Sequence, residues 1–315
     1  MGSIWTMGEI LVEIMRPGTE MPFHLTGEFV GPLPSGAPAI FIDTVAKLGH
    51  KAGIIGGVGN DGFGRNVLER LKRDGVNCEN VLVVNDKATA VAFVAYFEDG
   101  SRKYIFHVDG TPAVMTPSLK EMQIRGVDFF HIMGCSLLIN EKFRKRIMET
   151  ADVFYQNRAH ITFDPNIRVE LLGNRDIYEI FTPIMEKCSI FFPGVDELRF
   201  ISNGNDLQAC VDNLFERYDL LELIILKKGK NGSTIYSRKK KIELPAFEVV
   251  EVDPTGAGDC FDAGFLSALL EGKDLFTAGK IATITGALNA ASFGPMEGKI
   301  DPKTIKEMLE REGLG

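Results

Sequence analysis

The segment Asp253-Pro254-Thr255-Gly256-Ala257-Gly258-Asp259 brings together residue types suited to two complementary tasks. Gly256, Ala257 and Gly258 have almost no side chain, so their backbone N–H groups stay uncovered. Those groups can converge on an anion where the apolar, helix-like run 261–270 begins, and the helix macrodipole adds attraction there. Asp259 closes the string. A carboxylate beside such a cradle repels phosphate, yet it is well placed to take a proton from a hydroxyl that attacks the phosphorus. The pairing predicts phosphoryl transfer to an alcohol, with Asp259 as general base and Gly256, Ala257 and Gly258 as an anion hole for the transferring group. A glycine-rich turn alone is commonplace, but an acid at each end with Thr255 inside makes this string specific. No G-x-x-x-x-G-K-[ST] string occurs, so the phosphate loop is not of the Walker type.

The string resembles the C-terminal signature of the PfkB/ribokinase family of carbohydrate kinases. Residues 31–64, GPLPSGAPAIFIDTVAKLGHKAGIIGGVGNDGFG, resemble the family's N-terminal signature, with Gly36-Ala37-Pro38-Ala39, Leu48-Gly49 and the run 57–64 in the expected order. With the GE-x-L start at Gly8, the likeness spans nearly the whole chain. The resemblance implies ATP as donor and magnesium as the counterion that its clustered charge needs. Lys227-Lys228-Gly229-Lys230-Asn231-Gly232 is similar to the family's nucleotide-binding turn, which assigns Lys227, Gly229 and Gly232, with Thr255, to ATP. A solvated hairpin leading to 233–236 is the other reading of those lysines. Glu197 stands where the family has the glutamate of N-x-x-E, which orders magnesium-bound water, although Gly194 replaces the asparagine. Glu197 could equally be a helix-start acid placed for the dipole. The family's use of a monovalent cation, potassium, points to Asp253.

For the acceptor, the resemblance implies Glu13, Gly36, Ala37, Tyr104, Asn166 and Arg168, together with Asp259. The run Asp164-Pro165-Asn166-Ile167-Arg168 resembles the D-P-N-x-R of fructokinases and 2-keto-3-deoxygluconate kinases. Arg168 would offer a planar fork of donors to a carboxylate or phosphate oxygen, or else face solvent past a turn. Glu13 replaces a family aspartate and Ile40 a family asparagine, both of which fix sugar hydroxyls. The expectation therefore moves from ribose toward fructose, tagatose or 2-keto-3-deoxygluconate, and the phrase SGAPAIFID is similar to tagatose- and fructose-type kinases.

Positioning these groups calls for a rigid frame. From about residue 126, apolar strand-like runs alternate with helical patterns: 128–133 then 141–154, 161–164 then 177–188, 190–193 then 207–218, and 223–226. Continuously apolar strands covered on both faces predict a parallel sheet between helices, with ligands at the C-terminal strand ends. Residues 89–97 and 103–106 read as a hairpin, and 10–33 as strands without helices. The fold class expected is α/β: a ribokinase-like, doubly wound, mostly parallel sheet flanked by helices. It forms a single domain over 1–315, with lid strands inserted at about 10–34 and 87–108. The resemblance implies that the small sheet closes over the sugar and excludes water, and that lids of this kind pair two subunits into a homodimer.

Composition narrows the partners. With 315 residues, 45% hydrophobic and a net charge of −8, the chain can bury a large core and lacks the basic balance of a nucleic-acid or anionic-membrane binder. Cys78, Cys135, Cys188, Cys210 and Cys260 are odd in number and show no C-x-x-C pair, as expected of reduced thiols in a cytoplasmic protein. No 18-residue apolar run and no signal-peptide pattern occur. His24, His50, His107, His131 and His160 show no metal-binding or triad spacing. Three rival readings remain. They are a non-catalytic sugar sensor on a kinase scaffold, a kinase for a nucleoside or sugar phosphate, and a dinucleotide-dependent oxidoreductase. The last lacks a glycine-rich fingerprint, because Gly8-Glu9-Ile10-Leu11 reads straight on as strand.

Overall fold

In the computed structural model, which describes residues 2–119 and 126–313, the chain begins with β1 (Ser3–Met7) and then leaves the first sheet for a second one. That second sheet receives β2 (Leu11–Thr19) and β3 (Val30–Ser35). Helix α1 (Ala37–Lys47), β4 (Lys51–Gly59), α2 (Gly62–Arg73) and β5 (Asn77–Val84) return the chain to the first sheet. The hairpin β6 (Ala90–Tyr96) and β7 (Arg102–His107) completes the second. Alternation then sets in with β8 (Phe129–Met133), α3 (Gly134–Ile139), α4 (Glu141–Gln156), β9 (His160–Asp164), α5 (Val169–Leu172) and α6 (Ile177–Met185). It continues through β10 (Cys188–Phe191), α7 (Val195–Ser202), α8 (Leu207–Arg217) and β11 (Leu223–Lys227). Strands β12 (Ser233–Ser237) and β13 (Lys241–Leu244) and helices α9 (Ala257–Leu270), α10 (Leu275–Ala290) and α11 (Pro302–Arg311) finish the chain.

The main sheet has nine strands in the order β13-β12-β11-β10-β9-β8-β1-β4-β5. All its pairings are parallel except β11–β12 and β12–β13. The small sheet runs β3-β2-β6-β7, with β2 and β6 parallel and the outer pairs antiparallel. The strand period of two sorts side chains between two cores. Phe130 and Ile132 of β8 join α4, α6 and α8 on one face, where Phe143, Phe181 and Leu214 lie. Phe129 and Met133 join α1, α9 and α10 on the other, with Phe41, Phe265 and Ile281.

Three details differ from the sequence reading. The first strand does not run on through Leu11: the Gly8 amide still donates to the Ile55 carbonyl at 3.1 Å, after which residues 8–10 cross to the second sheet. Strand β10 starts at Cys188, within the run read as helix, because α6 stops at Met185. Helix α9 already begins at Ala257, four residues before the helix-like run 261–270, so Asp259 sits in the first turn of a helix.

Candidate active site

The loop before α9 is fixed from several sides. Asp253 Oδ1 accepts the Thr255 amide at 3.0 Å and Oδ2 accepts the Gly294 amide at 2.9 Å. Asn289 Nδ2, from α10, donates to the Thr255 and Pro295 carbonyls at 2.8 and 3.0 Å. Gly256 takes φ 79°, and a Cβ there would lie 2.4 Å from the Pro295 carbonyl oxygen, so only glycine fits both the backbone and the space. The N-terminus of α9 therefore presents the amides of Gly256 and Gly258 at a fixed place, whereas the Ala257 amide, expected from the sequence to join them, already donates to the Pro254 carbonyl at 3.2 Å.

That first turn separates two cavities. Thr255, Gly256 and Asp259 face a hollow under the small sheet, also lined by Glu13, Gly36, Ala37, Tyr104 and Arg168. Pro254, Ala257 and Gly258 face a larger cavity of about 570 Å³, together with Lys227, Gly229, Gly232 and the irregular stretch 246–249. The lid-side hollow is only about 40 Å³. A glycine at Gly36 is needed here too: its φ is 105°, and a Cβ would lie 2.5 Å from the Glu9 carbonyl oxygen.

Asp259 is 5% exposed, and its Oδ1 accepts Asn166 Nδ2 at 3.0 Å. Burial, then the charge of Asp164, push its carboxyl up to about 7, against the opposing pull of Arg168 and Lys227. A base poised near neutrality can hold a hydroxyl proton in transit and release it later. Glu13 is also buried and pushed up to about 7, chiefly by burial, and its Oε2 has no hydrogen-bond partner. Asn166 Oδ1 likewise has none. Such unpaired atoms are what a hydroxyl-rich ligand would satisfy.

The acceptor-side residues expected from the sequence converge, apart from Asn166, which acts one step back by orienting Asp259. Arg168 does not turn to solvent. Its guanidinium lies 5.4 Å from the Tyr104 ring centre and lines the hollow. Thr255, expected on the nucleotide side, lies on the lid side, where its hydroxyl meets Tyr96 at 2.9 Å. Lys227 does line the larger cavity, but its ammonium donates to Asp164 Oδ2 at 2.7 Å and to both Asp262 oxygens at 3.2 Å. The solvated-hairpin reading therefore fails for this lysine. Burial alone would push Asp164 up, but Lys227 and a hydrogen bond from Asp262 hold it below its usual range, while burial keeps Asp262 well above. Glu197 serves as a helix-start acid: Oε2 accepts the Gly194 amide and Oε1 the Ile167 amide, both at 2.8 Å. It thereby ties the loop carrying Arg168 to α7.

Several residues at the site escaped the sequence reading. Glu9 lines the hollow and hydrogen-bonds Ser136 and Cys135, and burial raises its carboxyl. Arg102 reaches the same hollow from β7. The Glu9 of the GE-x-L start was visible as part of a motif but not as a site residue; nothing local marks Arg102, Asp262 or Asn289. Among the described residues, no group of three or more His, Cys, Asp or Glu side chains is set to hold a metal ion, and no helix is long and apolar enough to cross a membrane.

With this geometry in place, known proteins supply the context. Residues 31–302 match the pattern of the pfkB family carbohydrate kinases. The probable fructokinase-5 of Arabidopsis thaliana is 31% identical over 294 residues, covering 91% of this chain and 89% of that protein. The fructokinase of Salmonella typhimurium is 28% identical over 268 residues, covering 84% of each. The crystal structure of a putative ribokinase II from E. coli, in complex with ATP and Mg²⁺, superposes with a TM-score of 0.89 at 35% identity, over 99% of this chain and 100% of that one. The two sheets and their helices are those of the ribokinase-like fold. The chain belongs to the pfkB family of carbohydrate kinases, and it is a phosphotransferase that acts on a sugar hydroxyl.

Proposed function

We propose that the protein transfers the γ-phosphoryl group of ATP to a hydroxyl of a ketohexose of the fructose or tagatose type, or of its ketoacid counterpart 2-keto-3-deoxygluconate. The observation that carries this reading is the division of labour across the first turn of α9: Asp259 faces the lid-side hollow, and Ala257 and Gly258 face the larger cavity. A hydroxyl held against Asp259 and a phosphate held on the amides of Gly256 and Gly258 would then meet across one helix turn, in the close approach transfer requires. Asp259 takes the hydroxyl proton as the oxygen bonds to phosphorus; the bond to ADP breaks, and the negative charge on the transferring oxygens rests on the amides. Arg168 and Tyr104 close one side of the acceptor hollow, and Glu13, Gly36 and Ala37 another.

The larger cavity, at about 570 Å³, falls within the range of ordinary cofactor pockets. Gly229 and Gly232 shape one wall of it. Magnesium bound with the nucleotide would neutralise the charge of the phosphates. Glu197 is the residue that the family's pattern assigns to holding its water, but both its oxygens already accept backbone amides and it lines neither cavity. Asp253 is the candidate for a neighbouring potassium ion. The lid exposes Phe29 (41%), Val30 (38%) and Ile105 (43%), apolar area suited to pairing lids in a homodimer. All five cysteines are free, which suits the reducing cytoplasm.

The test is ADP release with fructose, tagatose and 2-keto-3-deoxygluconate, with identification of the phosphorylated product. Saturable sugar binding without turnover, in wild type and Asp259→Asn alike, would replace the kinase reading with that of a sensor. Sedimentation of the intact protein reads the oligomeric state.

A further inference from the structure

Tyr96 is the last residue of β6, in the lid, yet its hydroxyl reaches the loop that builds the anion hole. It lies 3.0 Å from Asp253 Oδ1 and 2.9 Å from Thr255 Oγ1. A tyrosine hydroxyl has one proton. Asp253 Oδ1 can only accept, so that proton goes to Asp253 and the Thr255 hydroxyl donates to the Tyr96 oxygen. Asp253 in turn accepts the Thr255 and Gly294 amides. Among the described residues, no other hydrogen bond joins the lid sheet to residues 253–259. The backbone at Tyr96 is itself anchored, because its carbonyl accepts the Glu20 amide at 3.0 Å.

The hollow beneath the lid, about 40 Å³, is lined on the lid side by Glu13 of β2 and by Arg102, Tyr104 and Phe106 of β7. A lid that swings away to admit an acceptor takes Tyr96 off the loop. We infer that Tyr96 is a positioning residue: its hydroxyl, seated on Asp253 and Thr255 when the lid shuts, sets the anion-hole loop in its transfer geometry. The device ties the phosphate cradle to acceptor occupancy. With the lid open, Thr255 loses its side-chain partner and the amides that follow it lose a restraint, so water attacks a poorly held phosphoryl group. With the lid shut over an acceptor, the loop stiffens around the transition state. This rests on the sugar-kinase reading and adds a specific contact to it.

The experiment uses the full chain with ATP and whichever ketose it phosphorylates. Tyr96→Phe keeps the ring and its packing and removes only the hydroxyl. The expected result is a kcat for transfer lowered about tenfold or more, acceptor KM within a few-fold of wild type, and the slow ADP release without sugar unchanged. Thr255→Val cuts the other end of the link. If the two hydroxyls act as one unit, the double variant is no slower than the slower single variant. A purely structural role would lower the melting temperature and leave the ratio of transfer to hydrolysis as it was. Wild-type kcat in Tyr96→Phe, or losses that multiply in the double variant, overturns the inference and leaves the kinase reading standing. A wild type that releases no ADP with any acceptor overturns both.

Discussion

At Asp259 the geometry and the electrostatics agree. Its carboxyl, pushed up to about 7 by burial and then by Asp164, must be ionised to take a proton. The acid limb of kcat/KM should therefore rise with pH through about 7 and then level off. Asp164 lies on the raising side of that balance and Lys227 on the lowering side. Asp164→Asn removes one negative charge and leaves Lys227 with Asp262 as its remaining partner; the loss of the Asp164 charge favours the ionised base. The acid limb should move to lower pH, and a pH–rate profile of that variant reads the shift; movement upward, or none, would show that another group sets the limb. Asp259→Asn should cost about 10²- to 10⁴-fold in kcat, measured as ADP release at saturating acceptor.

Among the elements, the lid has a root as well as a tip. Asp61, at the start of α2, accepts the Gly64 amide at 2.8 Å, the Thr89 amide at 2.8 Å and the Thr89 hydroxyl at 2.7 Å. Thr89 Oγ1 also accepts the Gly59 amide at 2.9 Å, so one carboxylate caps a helix and fastens the base of β6 to β4. Asp61→Ala should lose about 0.5–2 kcal/mol of capping and raise the acceptor KM, because the lid pivots on a looser joint. Thermal melting and acceptor kinetics together test this, and a lower melting temperature with an unchanged KM would reduce Asp61 to a cap. Both signatures and the helix–strand alternation were legible because each rests on local chemistry: glycine where amides must be bare, and apolar runs where both strand faces are covered. The lid hairpin was legible through the turn at 98–101. What could not be read from sequence depends on contacts made far along the chain. Lys227 looked like a phosphate ligand and proved to be shared by two buried aspartates, one 63 residues before it and the other 35 after. Thr255 sits in the phosphate loop by sequence, but the turn before α9 aims it at the lid. Arg102 entered the acceptor hollow from a strand whose pattern says only that alternate residues face inward.

Across the whole molecule, the site lowers stability at the pH where it works. Burial raises the carboxyls of Glu9, Glu13 and Asp259, the latter two to about 7, and that of Asp43 to about 6. For each, the folded chain holds its proton more tightly than the unfolded chain does. The stability that results is fully present below the unfolded value, near 4, and is lost as pH rises through the folded value. Asp61, Asp74 and Asp164 are lowered and work in the opposite sense, adding stability above their unfolded values that acid removes. The wild-type profile sums these opposing effects, so one member is best isolated by difference. Asp259→Asn keeps an oxygen for Asn166 Nδ2 but never carries charge. Its melting temperature should equal that of wild type near pH 4 and exceed it increasingly up to about pH 7, above which the gap levels off, because burying the ionised Asp259 costs on the order of a few kcal/mol. Melting curves of the two proteins from pH 4 to pH 8 measure the gap. A gap of constant size would mean that the substitution acts through packing. One that opens toward neutral pH would show that the charge needed to deprotonate the acceptor is held at the expense of the fold.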